Sequence, residues 1–343
     1  MQTEVLSVNP SEPEPDVIAR AAKVLDQGGL VAFPTETVYG LGARAFDPVA
    51  VAKIFAAKGR PANNPLIVHF AAPPFDASSS DSFWPAAAQR LAARFWPGPL
   101  TLVLPKPPGV PVIVTAGGST WAVRMPDHAV TYALLSAAGP LAAPSANVST
   151  AVSPTTAEHV LSSLRGKIDL ILDGGPCPGG IESTVLDLTS SPPCVLRPGP
   201  ILPSELSAVI GHVTASEIRL SGEHGPLPSP GTSIRHYAPR ATLECYRDPA
   251  ETSARVNQLA KSDARVRWLR CSPLARIVLG AEQIQMSQDA PGYAAQLYGA
   301  LHDADRHGAD YVILDLPPDD EEWLAVRDRL RRAATVWKNT VER

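Results

Sequence analysis

The chain has 343 residues, more than one hydrophobic core usually covers, so we expect two domains. Hydrophobic residues make up 45% and charged residues 19%, as in ordinary globular proteins, and a formal net charge of −4 argues against a chain-wide electrostatic grip on nucleic acid or anionic membrane. Four scattered cysteines predict neither a zinc site nor a disulfide framework. The acidic, proline-bearing N-terminus is unlike a signal peptide, and no apolar run approaches the ~18 residues of a membrane span, so we expect a cytoplasmic protein without a membrane partner.

The first predicted strand and its turn begin the segment around which we expect the chain to be organised. Residues 30–33 form an apolar run that stops at Pro34, which is typical of a short buried strand. A turn that contains Thr35, Glu36, Thr37 and Tyr39 follows, and Gly40 and Gly42 predict that it is flexible.

A helix and a basic loop follow this turn. Asp47 before Pro48 predicts the helix start, because the carboxylate can cap free backbone N–H groups, and Gly59 predicts the helix end. The loop at 58–64 therefore lies between this helix and a predicted strand at 66–70. A basic loop between rigid elements favours a binding site, and the alternative that stays open is that Lys58 and Arg60 only complement the negative end of the helix dipole.

The rest of the first domain is an irregular mixture of helices and strands. A capping box of Thr155 and Glu158 predicts one further helix start. We expect an α/β domain over residues 1–212 that is not a simple doubly wound sheet. The other predicted strands are 100–104, 122–125, 168–172, 185–188 and 195–197, and the other helices are 86–95, 130–135 and 206–210.

A segment rich in Pro, Gly, Ser and His then separates the two domains. We interpret residues 213–240 as a linker that is partly docked, because a passive spacer would not need the bulky residues 234–237 together. Strands alternating with helices after it predict a small βαβ-type, Rossmann-like domain at 241–343. Its predicted strands are 243–246, 266–269 and 311–316, and its predicted helices are 254–260, 293–304 and 323–333.

Common catalytic motifs are missing from the sequence, but the predicted strand ends carry cations and small hydroxyls. Nothing matches a Walker A loop, and Gly40-Leu41-Gly42 lacks the third glycine of a dinucleotide fingerprint. Guanidinium groups bind phosphate and carboxylate in pairs of hydrogen bonds, and short hydroxyls add further contacts. The pattern therefore favours a small ligand with several anionic groups.

Several motifs in one order connect the chain with a known family. They are PTETVYGLGARAFD, KGRPANNPLIVH, WPGPLTLVL, WAVRMP, APSAN, ESTVLDL, LRPGP and SIRHYAP. In these motifs the chain closely resembles the threonylcarbamoyl-AMP synthases with a YrdC-like domain, in their long form. The resemblance covers nearly all of residues 1–240. It implies a twisted mixed α/β sheet with helices around a concave groove. It also implies the reaction of ATP, L-threonine and bicarbonate or CO2 to threonylcarbamoyl-AMP and pyrophosphate, for threonylcarbamoyladenosine modification of tRNA.

The resemblance also implies which residues bind the substrates. L-Threonine would lie near Thr37, His69, Arg124, Ala143 and Ser183. Lys58 and Arg60 would be the catalytic cations, acting by charge stabilisation without a protein nucleophile. The residues implied for ATP are Lys58, Arg60, Asn64, Ser119, Ser145, Asn147, Ser153 and Arg197, with Tyr237 of the linker closing over the phosphates.

Mg²⁺ would be held mainly by the ATP phosphates rather than by protein ligands, and the product would pass to a tRNA-modifying transferase complex. Two alternatives stay open. One is a carbamoyltransferase-type use of the same domain, and the other is a non-catalytic module that binds double-stranded RNA. Direct, stable binding of nucleic acid is left undecided by the sequence.

Overall fold

The computed structural model describes residues 2–74, 84–215, 236–271 and 278–339. The chain divides into two compact units, the first formed by Met1–Ser149 with Ser153–Ile234 and the second by Thr150–Val152 with Arg235–Arg343. Most of the predicted linker, residues 216–235, lies outside the described residues. Within the described ranges, no helix is both long and apolar enough to cross a membrane.

The first unit contains one large mixed sheet. Its strands, numbered along the chain, are β1 (Glu4–Ser7), β2 (Val31–Phe33), β3 (Gly40–Arg44), β4 (Ile67–His69), β5 (Leu100–Pro105), β6 (Thr120–Arg124), β7 (Leu141–Ala142), β8 (Leu170–Asp173), β9 (Thr184–Asp187), β10 (Cys194–Arg197) and β11 (Thr214–Ala215). Among the described residues, their order across the sheet is β1-β8-β2-β3-β7-β4-β6-β5-β9-β10-β11. Parallel and antiparallel neighbours alternate irregularly, as in the pairs β4–β6 (parallel) and β5–β6 (antiparallel). The prediction of a mixed sheet is thus confirmed.

Helices cover both faces of this sheet. The helices are α1 (Pro15–Asp26), α2 (Pro48–Lys58), α3 (Ala86–Phe95), α4 (Ala129–Ala138), α5 (Ala157–Leu164) and α6 (Pro203–Ile210). Alternation along β2 shows the two layers: Ala32 packs in the core with α2, α3, α5 and α6, whereas Val31 and Phe33 pack in the core with α1 and α4. Since successive strand residues point to opposite faces, both faces of the short apolar run are buried.

The predicted flexible turn at Gly40 and Gly42 was wrong. Both glycines lie in β3, where Gly40 pairs with Phe33 and Gly42 with Val31. A Cβ atom at Gly42 would lie 2.8 Å from a ring carbon of Phe33, closer than real contacts allow. The glycines therefore make room for an aromatic ring, a use that sequence alone does not distinguish from turn chemistry.

Of the two helix starts predicted from capping residues, one is correct and the other is wrong by one residue. Asp47 caps α2 by accepting from the N–H groups of Val49 at 2.9 Å and Ala50 at 3.1 Å, and Gly59 ends it with a φ of 58°. The box at Thr155 was misplaced by one residue, because the Thr156 hydroxyl accepts from the His159 N–H at 3.2 Å.

The second unit carries a smaller sheet in which, among the described residues, all the strand pairs are parallel, ordered β14-β13-β15-β12-β16. Its elements are β12 (Thr242–Tyr246), α7 (Pro249–Leu259), β13 (Val266–Arg270), β14 (Ala281–Gln285), α8 (Ala290–Arg306), β15 (Tyr311–Asp315), α9 (Leu324–Ala333), preceded by a 3₁₀ turn at Glu321–Trp323, and β16 (Val336–Lys338). Parallel strands joined through helices confirm the predicted βαβ-type domain. The sequence did not predict the two edge strands β14 and β16, which are the least buried.

Candidate functional site

Three polar side chains lie side by side on three neighbouring strands of the large sheet. His69 at the end of β4 is paired with Arg124 at the end of β6, and Arg124 is paired with Thr101 of β5. All three residues are buried, at 4%, 4% and 0% exposure. Pairing across the sheet therefore collects groups that are distant in sequence into one row.

Arg124 is the charged centre of this row. Its Nη2 donates to the Thr37 hydroxyl at 3.0 Å, and its Nε donates to the Gly98 carbonyl oxygen at 3.3 Å. The Glu36 carboxylate forms an ion pair with it, with 2.6 Å between Oε1 and Nη2. Thr37 is itself fixed by the Thr35 hydroxyl at 2.8 Å. The hydroxyl-rich segment at 35–37 thus holds the guanidinium in one orientation.

His69 is an uncharged group beside this cation. Burial, and after it the positive charge of Arg124, lower its pKa from 6.5 to about 3, against two backbone hydrogen bonds that favour the charged form. Within the described residues, its Nδ1 atom has no hydrogen-bond partner. A neutral imidazole with an unused nitrogen is suited to hydrogen-bonding a ligand hydroxyl or carbonyl.

The neutral His69 predicts a specific pH dependence of stability. In the unfolded chain the imidazole binds a proton below 6.5, whereas in the folded chain it stays neutral until about pH 3. The unfolded state therefore binds more protons in this window, so the free energy of unfolding falls as pH drops below 6.5. Between pH 7 and 5 we expect wild type to lose ~2 kcal/mol more than His69→Gln in urea unfolding.

His212→Gln at an exposed position is the matched control and should follow wild type. Equal losses for wild type and His69→Gln would contradict the burial of a neutral imidazole.

A second group connects Ser183 with Arg197. The Ser183 hydroxyl lies 2.8 Å from the Thr101 hydroxyl, and Nη2 of Arg197 donates to it at 3.0 Å. Arg197 also donates from Nε to the Ser183 carbonyl oxygen at 3.1 Å and is only 4% exposed. Because Thr101 is the strand neighbour of Arg124, this group adjoins the row described above.

Lys58 is the centre of a third group. Its Nζ donates to the carbonyl oxygens of Ser145 at 2.6 Å and Asn147 at 2.5 Å. The Ser145 hydroxyl donates to the Asn147 side-chain oxygen at 2.6 Å. Burial holds the pKa of Lys58 well below its usual value, the charge of Arg60 lowers it further, and Glu182 acts in the opposite direction. An anionic ligand would favour the charged form of this lysine.

Arg60 binds its own loop in this structure. Nε donates to the Asn64 backbone oxygen at 3.0 Å, and Nη2 donates to the Asn64 side-chain oxygen at 2.5 Å and the Pro65 oxygen at 2.6 Å. Arg60 as a whole residue is 8% exposed. Arg60 therefore shapes the predicted basic loop as well as supplying charge.

Glu182 is a functional candidate that the sequence analysis missed. Its Oε1 accepts from the Ser153 hydroxyl at 2.5 Å, and its charge acts on Lys58. The signal in the sequence is the position of Glu182 directly before Ser183 in the ESTVLDL motif. A carboxylate is not expected among the cations and hydroxyls of an anion-binding site, so the sequence alone did not indicate its role.

The other predicted site residues lie as follows. Ala143 donates its N–H to the Ile67 oxygen at 2.9 Å, next to β4. Ser119 is exposed and precedes β6, at the opposite end from Arg124, roughly 16 Å along the strand. Tyr237 belongs to the second unit, where it stacks on Tyr298 at 5.8 Å between ring centroids. Ser119 therefore lies apart from Arg124, whereas the contacts described above join the other predicted residues of the first unit.

The three groups are joined by the chain itself. Glu182 of the Lys58 group is adjacent in sequence to Ser183, and the N–H of Ala146, between Ser145 and Asn147, donates to the Tyr39 oxygen at 2.8 Å. Four buried basic side chains, those of Lys58, Arg60, Arg124 and Arg197, lie among hydroxyls and one neutral imidazole. Such an arrangement can bind phosphate and carboxylate groups in a fixed orientation.

Comparison with known proteins identifies the family of the chain. The sequence profile described as "Telomere recombination" matches residues 23–199, and the profile described as "Threonylcarbamoyl-AMP synthase, C-terminal domain" matches residues 201–335. The chain is 43% identical to the threonylcarbamoyl-AMP synthase of Bacillus subtilis over 97% of this chain and 95% of the relative. It is 41% identical to that of Pyrococcus abyssi over 92% and 93% of the two chains.

A solved structure shows the same likeness in three dimensions. The crystal structure of P. abyssi Sua5 complexed with L-threonine superposes with a TM-score of 0.87 at 39% identity, covering 96% of this chain and 97% of that one. Sequence and structure agree over both units, so the chain belongs to the threonylcarbamoyl-AMP synthase family.

Proposed function

We propose that this protein is an L-threonylcarbamoyladenylate synthase, a nucleotidyltransferase that converts ATP, L-threonine and bicarbonate or CO2 into threonylcarbamoyl-AMP and pyrophosphate. The observation that carries the proposal is the convergence of Arg124, Thr37, Ser183 and the Lys58 group in one unit of a chain that belongs to this family. The bound L-threonine of the P. abyssi relative supports the choice of amino acid.

For L-threonine we propose the row at the strand ends. Arg124 would bind the carboxylate, because a guanidinium can donate two parallel hydrogen bonds to it. Thr37, His69, Ser183 and the backbone of Ala143 would surround the rest of the molecule. The unused Nδ1 of His69 supports a hydrogen bond to the substrate.

For ATP we propose the groups of Lys58 and Arg197. Lys58, Arg60 and Arg197 would neutralise the phosphates, and Asn64, Ser119, Ser145, Asn147 and Ser153 would complete the site. ATP would enter as its magnesium complex, since Mg²⁺ keeps phosphate and water ligands.

The proposed chemistry needs no protein nucleophile. The threonine amine attacks bicarbonate or CO2, and the carbamate oxygen then attacks the α-phosphorus in line with the departing pyrophosphate. Positioning alone can supply about 7 to 11 kcal/mol of the barrier, and fixed cations stabilise the developing charge. We further propose that the product serves threonylcarbamoyladenosine modification of tRNA through a transferase complex in the cytoplasm.

Pyrophosphate release tests the proposal directly. The purified full chain with ATP and Mg²⁺ should release pyrophosphate only when both L-threonine and bicarbonate are present, and omission of either should reduce the rate to background. Release that requires carbamoyl phosphate in place of the two would indicate the carbamoyltransferase-type alternative. Salt-dependent binding of double-stranded RNA without any release would indicate the binding module.

A further inference from the structure

Glu36 is a carboxylate at the centre of the proposed threonine site for which neither the sequence motifs nor the hydroxyl network assigns a role. Its side chain is 14% exposed and its two oxygens are buried. In the described part of the chain neither oxygen has a hydrogen-bond partner, and the ion pair with Arg124 at 2.6 Å is its charged contact. A buried carboxylate with unused acceptor positions is costly, which indicates that a ligand supplies the missing donor.

The ion pair compensates the charge of Arg124 before the substrate arrives. Nη2 of Arg124 has two N–H bonds and contacts both the Thr37 hydroxyl and Oε1 of Glu36, so a substrate carboxylate that binds there displaces one of them, and Glu36 is the group of like charge. A simple anion would leave Glu36 buried without a cation, which is strongly unfavourable. An amino acid avoids this, because its own ammonium group can face the displaced carboxylate.

The nucleophile of the proposed reaction is the same nitrogen. An α-ammonium has no lone pair, so it must lose a proton before it can attack carbonate carbon. The other titratable groups that face Glu36 are poorly suited to accept this proton. Burial raises the pKa of Cys177 to about 12, and burial lowers the pKa of His128 despite the nearby charges of Glu36 and Asp127.

We infer that Glu36 binds the α-ammonium group of the amino-acid substrate and accepts the proton that this group loses before its nitrogen attacks carbonate. This inference rests on the proposed function. In the step, the Glu36 carboxylate takes one ammonium proton and the amine nitrogen forms its bond to the carbon of bicarbonate. The bicarbonate hydroxyl leaves with a second nitrogen proton as water, which gives the carbamate and protonated Glu36.

Binding without turnover tests the first half of the inference. L-Threonine is compared with 2,3-dihydroxybutanoate of the same configuration, in which a hydroxyl replaces the ammonium, on wild type and on Glu36→Gln by calorimetry. We expect wild type to bind threonine at least about 100-fold more tightly than the dihydroxy acid, and the variant to bind it less than about 10-fold more tightly. The difference between the two ratios measures the coupling between Glu36 and the ammonium group. An equal preference in both proteins would overturn the inference.

The pH dependence of kcat/KM for threonine tests the second half. With Glu36 as base, wild type should show a plateau between pH 7 and 8.5. Glu36→Gln should be at least about 100-fold slower at pH 7 and should gain about tenfold per pH unit, because it depends on free amine from solution. A variant that is slower but keeps the wild-type pH profile would assign Glu36 a positioning role only and would overturn the proton transfer.

Two controls separate folding and function. Glu36→Asp keeps the charge beside Arg124 and should recover part of the rate with the wild-type pH profile, whereas Glu12→Gln at an exposed position should match wild type in every assay. Thermal unfolding reports whether Glu36→Gln is folded. If wild type shows no threonine-dependent pyrophosphate release, the proposed function fails. If wild type is active and the coupling is absent, only the role of Glu36 fails.

Discussion

Arg60→Ala is expected to reduce pyrophosphate release by at least about 10³-fold while the chain remains folded. In the proposed reaction the guanidinium stabilises charge on the phosphates, and alanine removes this charge completely. It also removes the donors to the oxygens of Asn64 and Pro65, so we expect a loss of roughly 1 to 3 kcal/mol in the free energy of unfolding.

Two companion variants separate the charge from the loop structure. Arg60→Lys keeps a cation but cannot make all three contacts within the loop, so it should lie between wild type and alanine. Arg90→Ala, at an exposed position on α3, is the matched control and should be fully active. Near wild-type turnover of folded Arg60→Ala in single-turnover and steady-state assays would contradict the assignment of Arg60.

Valine is expected to be rejected by about 10⁴ relative to threonine in kcat/KM, the second large effect. A site that hydrogen-bonds a substrate hydroxyl leaves its own polar groups unpaired when the hydroxyl is replaced by a methyl group. The candidates for this bond are the hydroxyls of Thr37 and Ser183 and the Nδ1 atom of His69. The measurement is pyrophosphate release with each amino acid at saturating ATP and bicarbonate.

Serine provides the comparison within the same experiment. It keeps the hydroxyl and lacks only a methyl group, so we expect rejection by only ~10 to 200-fold. The order threonine, serine, valine therefore separates hydrogen-bond recognition from shape recognition. Comparable kcat/KM values for valine and threonine would show that the site does not bind the hydroxyl.

Local elements of this fold could be predicted because their causes lie within a few residues. Asp47 caps the very next turn, and Gly59 ends the same helix with a left-handed φ of 58°. The apolar run of β2 is buried on both faces, as a short strand stopped by Pro34 should be. These features need no knowledge of the rest of the chain.

Features that depend on distant partners were misread or missed. Gly42 gives space to Phe33 across a strand pair, and sequence offers no sign that its neighbour is an aromatic ring. Glu36 is paired with Arg124, and Glu182 with the Ser153 hydroxyl, through contacts that only the sheet creates. A carboxylate in an anion-binding motif is hard to interpret until its cationic partner is known.

The candidate site shows the same division. The motifs supplied Arg124, Ser183 and Lys58 as separate residues, and the family resemblance grouped them. The pairing of β4, β6 and β5 then gives the physical reason for part of that grouping, because it places His69, Arg124 and Thr101 side by side.

The most direct test of the central claim is the mass of the adenylate formed from labelled bicarbonate. Wild-type protein is incubated with ATP, Mg²⁺, L-threonine and [¹³C]bicarbonate, and the product is analysed by mass spectrometry immediately after quenching. The account predicts an AMP adduct that contains threonine and is heavier by one mass unit than the adduct made from unlabelled bicarbonate. An adenylate without threonine, or one whose mass does not change with the label, would contradict it.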